Sequence, residues 1–257
     1  MKRDAAAWER MLESMWREFR CVPGPSGGRC VELDGVLATV TPAVPERSLP
    51  NSVVYRSEEA LEAALDGLAE TYEQAGVEAW TVWVPEYHER ARALLERSGH
   101  LLDATPAAMI VELDRVEPPR ADDPEPDPQP RLEELARVND LAYGTGDAFA
   151  RFMGRGPANR AHTYIARVGG EAAASVVSSH HDGDCAMWWV ATLPEARGRG
   201  LAAGLMRRAL ADGRERGCEV STLQATKLGQ PVYERLGYRS LGTIEMWERR
   251  AAGSVSA

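Results

Sequence analysis

The chain has 257 residues, a formal net charge of −9, 44% hydrophobic and 27% charged residues, which fits a soluble globular protein with room for two domains and not a disordered or membrane-embedded one. The acid excess, with no clustered basic face, argues against a nucleic-acid binder and favours a cationic partner. Cys21, Cys30, Cys185 and Cys218 have no metal-ligand or redox spacing, and the N-terminus lacks the order of a signal peptide, so a cytoplasmic protein with reduced thiols and no metal is expected.

The opening segment sets Trp8, Met11, Leu12, Met15, Trp16 and Phe19 at helical spacing, which predicts a helix with one apolar face. Two β-rich runs follow, "CVELDGVLATVTP" with an Asp-Gly turn signal and "SVVYR". Next comes a helix capped by Ser57 and closed at Gly76, then a strand "AWTVWV", a helix "EYHERARALLERSG" and a strand around "AAMIVEL". The segment "VEPPRADDPEPDPQP" is proline and acid with almost nothing to bury, and reads as a linker. Beyond it, "RLEELARVNDLAYG" is helical. The run "HTYIARVGGEAAASVVSSHHDGDCAMWWVATLP" reads as three antiparallel strands turning at Gly169-Gly170 and Asp182-Gly183. A helix from about Gly200 to Arg216, a strand "EVSTLQA", a short helix "PVYERLG" and a strand "LGTIEMWER" complete the chain. Trp188 and Trp189, adjacent on a strand, are expected to face opposite sides, in the core or with one lining a cleft.

The division predicted is therefore 1–116, a linker over 117–130, and 131–257. The stretch "VYERLGYRSLGTIEMW" echoes "LLERSGHLLDATPAAMIVEL" of the first part, with Glu234-Arg235 over Glu96-Arg97 and Gly237 over Gly99. Two copies of one unit, one of them altered, would explain the echo.

The segment "ATLPEARGRGLAAGLMRRAL" carries the chemistry. A helix N-terminus offers unpaired N–H groups and partial positive charge, and glycines keep side chains away from them, so "RGRGLAAG" is a cradle for phosphate. The Walker pattern is absent because no lysine follows. Gly198, Gly200 and Ala203 fit the dinucleotide fingerprint G-x-G-x-x-A, but hairpin strands precede it, four residues part strand from glycine, and no acid ends the next strand. A turn with merely solvated arginines is the remaining structural alternative.

"VATLPEARGRGLAAGLM" resembles the acetyl-CoA motif of the GNAT N-acetyltransferase superfamily, in which Gln or Arg, two residues, Gly, one residue and Gly or Ala follow in turn; Arg197, Gly200 and Ala202 supply it. "PVYERLGYR" is similar to the family's second motif. The resemblance covers about residues 130–250, and with the echo it implies two tandem GNAT-like α/β units with mixed, largely antiparallel sheets flanked by helices, the first degenerate. It implies binding of acetyl-CoA, with the pyrophosphate on the amides of Gly198, Arg199, Gly200, Leu201, Ala202 and Ala203, and the pantetheine arm along the backbone of Val190, Ala191 and Thr192. Thr226 stands where the family often has asparagine for that arm. Acetyl transfer to a primary amine of a small molecule or peptide is the implied reaction, with Tyr233 as the catalytic tyrosine; the alternative is a catalytically silent acetyl-CoA-binding regulatory or interaction protein. Leu95 stands in the first half where Tyr233 stands in the second, so that half is not expected to bind acetyl-CoA. No base is assignable on the strand entering the loop. His180, His181, Asp182 and Glu245 are candidates by residue type alone, and the first three also read as turn residues.

Overall fold

The computed structural model describes residues 4–21, 27–156, 158 and 162–251. The thiol of Cys21 lies outside the described residues; Cys30, Cys185 and Cys218 are unbridged. The chain forms two compact units that interleave in sequence. One holds the residues up to Ser14 together with Ala108–Leu241, the other Met15–Ala107 together with the residues from Gly242 on. These boundaries differ from the division at 117–130, because an element belongs with the apolar surface it covers, whatever its place in the chain.

In chain order the elements begin with α1 (Ala5–Cys21), β1 (Arg29–Leu33), β2 (Val36–Val40), β3 (Ser52–Tyr55), α2 (Glu58–Gln74), β4 (Ala79–Pro85), α3 (Glu89–Arg97), β5 (Leu101–Ala104) and β6 (Ala107–Glu112). They continue with α4 (Leu132–Tyr143), α5 (Ala148–Met153), β7 (His162–Val168), β8 (Glu171–His181), β9 (Asp184–Thr192), α6 (Leu201–Glu215), β10 (Val220–Ala225), α7 (Gln230–Arg235) and β11 (Arg239–Arg250). α5 and β5 are additions to the sequence reading. Both are short, and so carry little periodicity.

In the second unit, β1 and β2 make the hairpin that Asp34-Gly35 signals, with Leu33 opposite Val36 and Gly35 at φ +72°. β2 pairs antiparallel with β3, β3 parallel with β4, and β4 antiparallel with β11. Ser57 caps α2, its side chain accepting the Ala60 N–H at 3.1 Å. The apolar stripe Leu61, Leu65, Leu68 and Tyr72 that the cap sets in register packs on Val53, Val82 and Trp80 of the sheet. Leu95 of α3 belongs to this core and is fully buried. His100 is also fully buried, edge-on to Trp80 at 4.6 Å, with neither ring nitrogen hydrogen-bonded. Burial pushes its pKa down to about 4.

In the first unit the strands run in the order β6-β10-β9-β8-β7. β7, β8 and β9 form the antiparallel meander read from the Gly169-Gly170 and Asp182-Gly183 turns, and β10 joins β9 in parallel. The proline-acid segment 117–130 lies within this unit and is fastened to it. Asp127 N–H donates to the Ile165 carbonyl at 2.8 Å, and Arg167 pairs with the carboxylates of Asp127 and Glu134. Asp123 and Arg207 of α6 form a buried two-point ion pair, with Nε to Oδ2 at 2.8 Å. Gly204 leaves room for this strap, since a Cβ there would stand 2.5 Å from Pro124 Cδ. Proline removes N–H donors but leaves carboxylates free to dock, so the segment is held by its acidic side chains and the backbone bond of Asp127 instead of by a core of its own. Among the described residues no helix is long and apolar enough to cross a membrane, and no group of three or more His, Cys, Asp or Glu could hold a metal ion.

Candidate active site

The site forms where β9 bends. β8 and β9 pair in register from His181–Asp184 to Val177–Trp188, then slip so that Ser175 faces Ala191. Trp189 and Val190 therefore stand together opposite Val176, a β-bulge, and Trp189 takes the left-handed φ of +46°. For an aromatic residue that conformation is strained and must be held by its surroundings. Two hydroxyls hold it. Ser175 Oγ donates to the Trp189 carbonyl at 3.1 Å, and Tyr143 Oη donates to the Val190 carbonyl at 2.8 Å. Ser175 Oγ is itself bonded by Asn139 Nδ2 at 3.1 Å.

The bulge sets the direction of one donor. Among the described residues no peptide bond is cis, so N–H and C=O of the Trp189–Val190 peptide point opposite ways. The carbonyl is turned to Ser175 on β8, which turns the Val190 N–H away from β8, towards β10. β10 pairs with β9 only at Val220–Asp184 and leaves the rest of that edge unladdered. Side chains fill the closed end of the wedge. Ser221 Oγ bonds the Cys185 carbonyl at 2.5 Å and Tyr238 Oη at 2.6 Å, and Thr222 Oγ1 donates to Asp184 at 2.6 Å. Burial raises the Asp184 carboxyl to about 6.

After β9 the chain turns through Pro194–Ala196 and enters the arginine-glycine loop. Gly198 and Gly200 sit at φ +77° and +75°, where glycine carries no steric cost, and a Cβ at either would meet open space. Gly200 is the N-cap of α6. None of the amides from Gly198 through Arg199, Gly200, Leu201 and Ala202 to Ala203 has an acceptor among the described residues. Six neighbouring donors at a helix start, beside two bare glycines, make a surface suited to an anion. The Arg197 guanidinium folds back to the carbonyls of Thr192 at 3.4 Å and Ala142 at 3.3 Å, tying the loop to β9 and the end of α4.

Tyr233 of α7 is buried, edge-on to Tyr238 at 5.9 Å, and its hydroxyl has no hydrogen-bond partner among the described residues. Burial raises its pKa above the ordinary phenol value, and the neighbouring Tyr143 adds to the shift. Thr226 is engaged in the turn that starts α7: its hydroxyl accepts the Gly229 N–H at 3.2 Å and its carbonyl the Gln230 N–H at 2.9 Å. Ala191 and Thr192 remain paired with Ser175 and Ala174 of β8.

Three of the residues considered as bases lie away from the bulge. His180, His181 and Asp182 are at the β8–β9 turn, separated from Val190 by about 20 Å of strand. There His180 stacks on His162 at 4.4 Å, and burial and His162 lower its pKa to about 4. Glu245 belongs to the other unit, where it accepts from Trp247 Nε1 at 2.7 Å. The strict alternation expected of Trp188 and Trp189 is broken by the bulge; Trp189 meets Phe152 edge-on at 5.8 Å. Asn139 and Tyr143 belong to no motif in the sequence. Their spacing of four before Gly144 marks one helix face, but nothing in it names the carbonyl that Tyr143 reaches.

Residues 117–238 match the Acetyltransferase (GNAT) family. No curated protein matches the chain. Among solved structures, the chain is similar to a GCN5-related N-acetyltransferase from Kribbella flavida, with a TM-score of 0.66 at 17% identity, over 94% of this chain and 95% of that one. A putative GNAT acetyltransferase from Novosphingobium aromaticivorans gives 0.55 at 20% identity, over 87% and 92%. A tandem GNAT protein from the clavulanic acid biosynthesis pathway gives 0.52 at 14% identity, over 86% and 79%. At these identities the structures show a shared fold, a mixed sheet flanked by helices. The family match covers residues 117–238, a little under half of the chain.

Proposed function

We propose that residues 117–238 form a GNAT acetyltransferase domain that transfers an acetyl group from acetyl-CoA to a primary amine of a small molecule or peptide. The observation that carries the reading is the run of six unengaged amides from Gly198 to Ala203, continuous with a strand edge that β10 leaves unladdered. The diphosphate of coenzyme A fits the first, and the amide-bearing pantetheine arm fits the second by strand addition along Val190, Ala191 and Thr192. Bound there, acetyl-CoA supplies an activated acyl group on a thioester.

The residues around it have separable tasks. The outward Val190 N–H is placed to donate to the thioester carbonyl and to stabilise charge developing on that oxygen. Tyr233 supplies a phenol without another partner, suited to the departing sulfur. An ordinary phenol near 10 is already a weaker acid than a thiol near 8.5, an uphill transfer of about 2 kcal/mol, and burial weakens it further. Tyr233 therefore serves as a hydrogen-bond donor to the thiolate more than as a full acid. Thr226, with its hydroxyl in the α7 turn, contributes to the arm through that turn's backbone. None of His180, His181 and Asp182 is at the bulge, so the amine arrives neutral and loses its second proton to water.

The second unit repeats the order strand-strand-strand-helix-strand-helix-strand of β7 to β11, which supports a tandem origin. There β3 leads straight into α2 through Arg56 and Ser57, with no glycine loop, so this unit is proposed not to bind the cofactor. Heat protection by coenzyme A and thiol release with an amine panel test the reading. Tyr233→Phe is expected to lower kcat at least tenfold and to keep the heat protection. Absence of protection in the wild type rejects the proposal.

A further inference from the structure

The bulge in β9 presents two carbonyls that side-chain hydroxyls reach, and both are held through α4. Asn139 acts through Ser175 on the Trp189 carbonyl, while Tyr143, one helical turn later on the same face, acts directly on the Val190 carbonyl. Tyr143 is half-exposed and close to parallel with Phe149 of α5, with ring centres 6.2 Å apart. Its bond to Val190 spans 47 residues of sequence, so no local turn geometry accounts for it.

From this arrangement we infer that Tyr143 is a positioning residue: by holding the Val190 carbonyl it fixes the bulge in the conformation that aims the Val190 N–H across the open edge of β9. The inference rests on the acetyl-CoA reading above. With the phenol bound, the peptide after Val190 is held, while Ser175 holds the peptide before it through the Trp189 carbonyl, so Val190 is fixed on both sides. Without it, the Val190 carbonyl turns to water, the Trp189–Val190 peptide is left to the Ser175 hydroxyl alone, and the aim of the N–H loosens. The diphosphate cradle at Gly198–Ala203 is a separate structure and is left intact. Tyr143 thus acts on the acyl end of the ligand and not on the nucleotide end.

The test compares acetyl-CoA with coenzyme A, by calorimetry without an acceptor amine, in the wild type and in Tyr143→Phe. The variant keeps the ring and its stacking on Phe149 and removes only the hydroxyl. The preference for acetyl-CoA over coenzyme A is expected to fall about tenfold, the worth of one hydrogen bond, and kcat to fall similarly, with coenzyme A affinity and melting temperature unchanged. A retained preference overturns the inference, whatever happens to kcat. An equal loss of affinity for both ligands also overturns it, since that is the mark of general damage. Ser175→Ala, which frees the Trp189 carbonyl, is expected to shift the preference in the same direction and keeps the test decisive should Tyr143→Phe not fold. If the wild type binds neither ligand, the cofactor reading fails and takes this inference with it; a retained preference removes the inference alone.

Discussion

Replacing Gly200 by alanine separates the backbone cost of the loop from its capacity to hold an anion. Gly200 has φ +75° and ψ 6°, and a Cβ built on it meets nothing within 4 Å. The substitution therefore creates no clash, and its cost to stability is that of an L-residue in the left-handed region, about 1–2 kcal/mol. In a unit of this size that lowers the melting temperature by roughly 2–8 °C. The methyl group adds bulk at the N-cap of α6, beside the amides on which the diphosphate is proposed to sit. Losing one charge-assisted hydrogen bond there costs ~1.5–3 kcal/mol, roughly 10- to 150-fold in Kd. Calorimetric Kd for coenzyme A and melting curves, taken together on wild type and Gly200→Ala, give both quantities. A variant that melts lower yet binds coenzyme A as tightly as the wild type would refute the placement of the diphosphate on these amides.

Three further outcomes follow from buried charges. Asp123→Ala strands the Arg207 guanidinium in a buried position and is expected to cost about 3–5 kcal/mol; in urea unfolding, Asp123→Ala combined with Arg207→Met recovers most of it. His100 has a folded pKa of about 4 against 6.5 when exposed, so the unfolded chain takes up the proton first and stability falls as pH drops from 6.5 towards 4. His100→Phe should remove about 2–3 kcal/mol of that acid sensitivity between pH 7 and 4.5, and an unchanged pH profile would contradict its buried, neutral state. Asp184 shows the opposite sign. Its folded pKa of about 6 is raised above 3.8, so its contribution is intact below pH 3.8 and is lost as pH rises through 6. Asp184→Asn should therefore stabilise the protein by about 2 kcal/mol more at pH 7.5 than at pH 4.5.

Local chemistry makes several elements legible from residues alone. Ser57 and Gly76 bound α2, Asp34-Gly35 and Asp182-Gly183 make hairpins, and the arginine-glycine loop opens α6, because caps, positive φ values and unpaired first-turn amides depend on a few adjacent residues. Tertiary structure decided what depends on distant partners. The acidic, proline-rich run looked unattached, yet Asp123 meets Arg207 across 84 residues and docks it on α6. The bulge at Trp189 needs the register of β8 to exist, and its lock, Tyr143 on the Val190 carbonyl, arrives from 47 residues away. The histidines that looked available as bases were carried to the far end of β9 by strand direction alone. A backbone carbonyl has no signature in sequence, and the side chain that satisfies it is chosen only when packing brings the two within 3 Å.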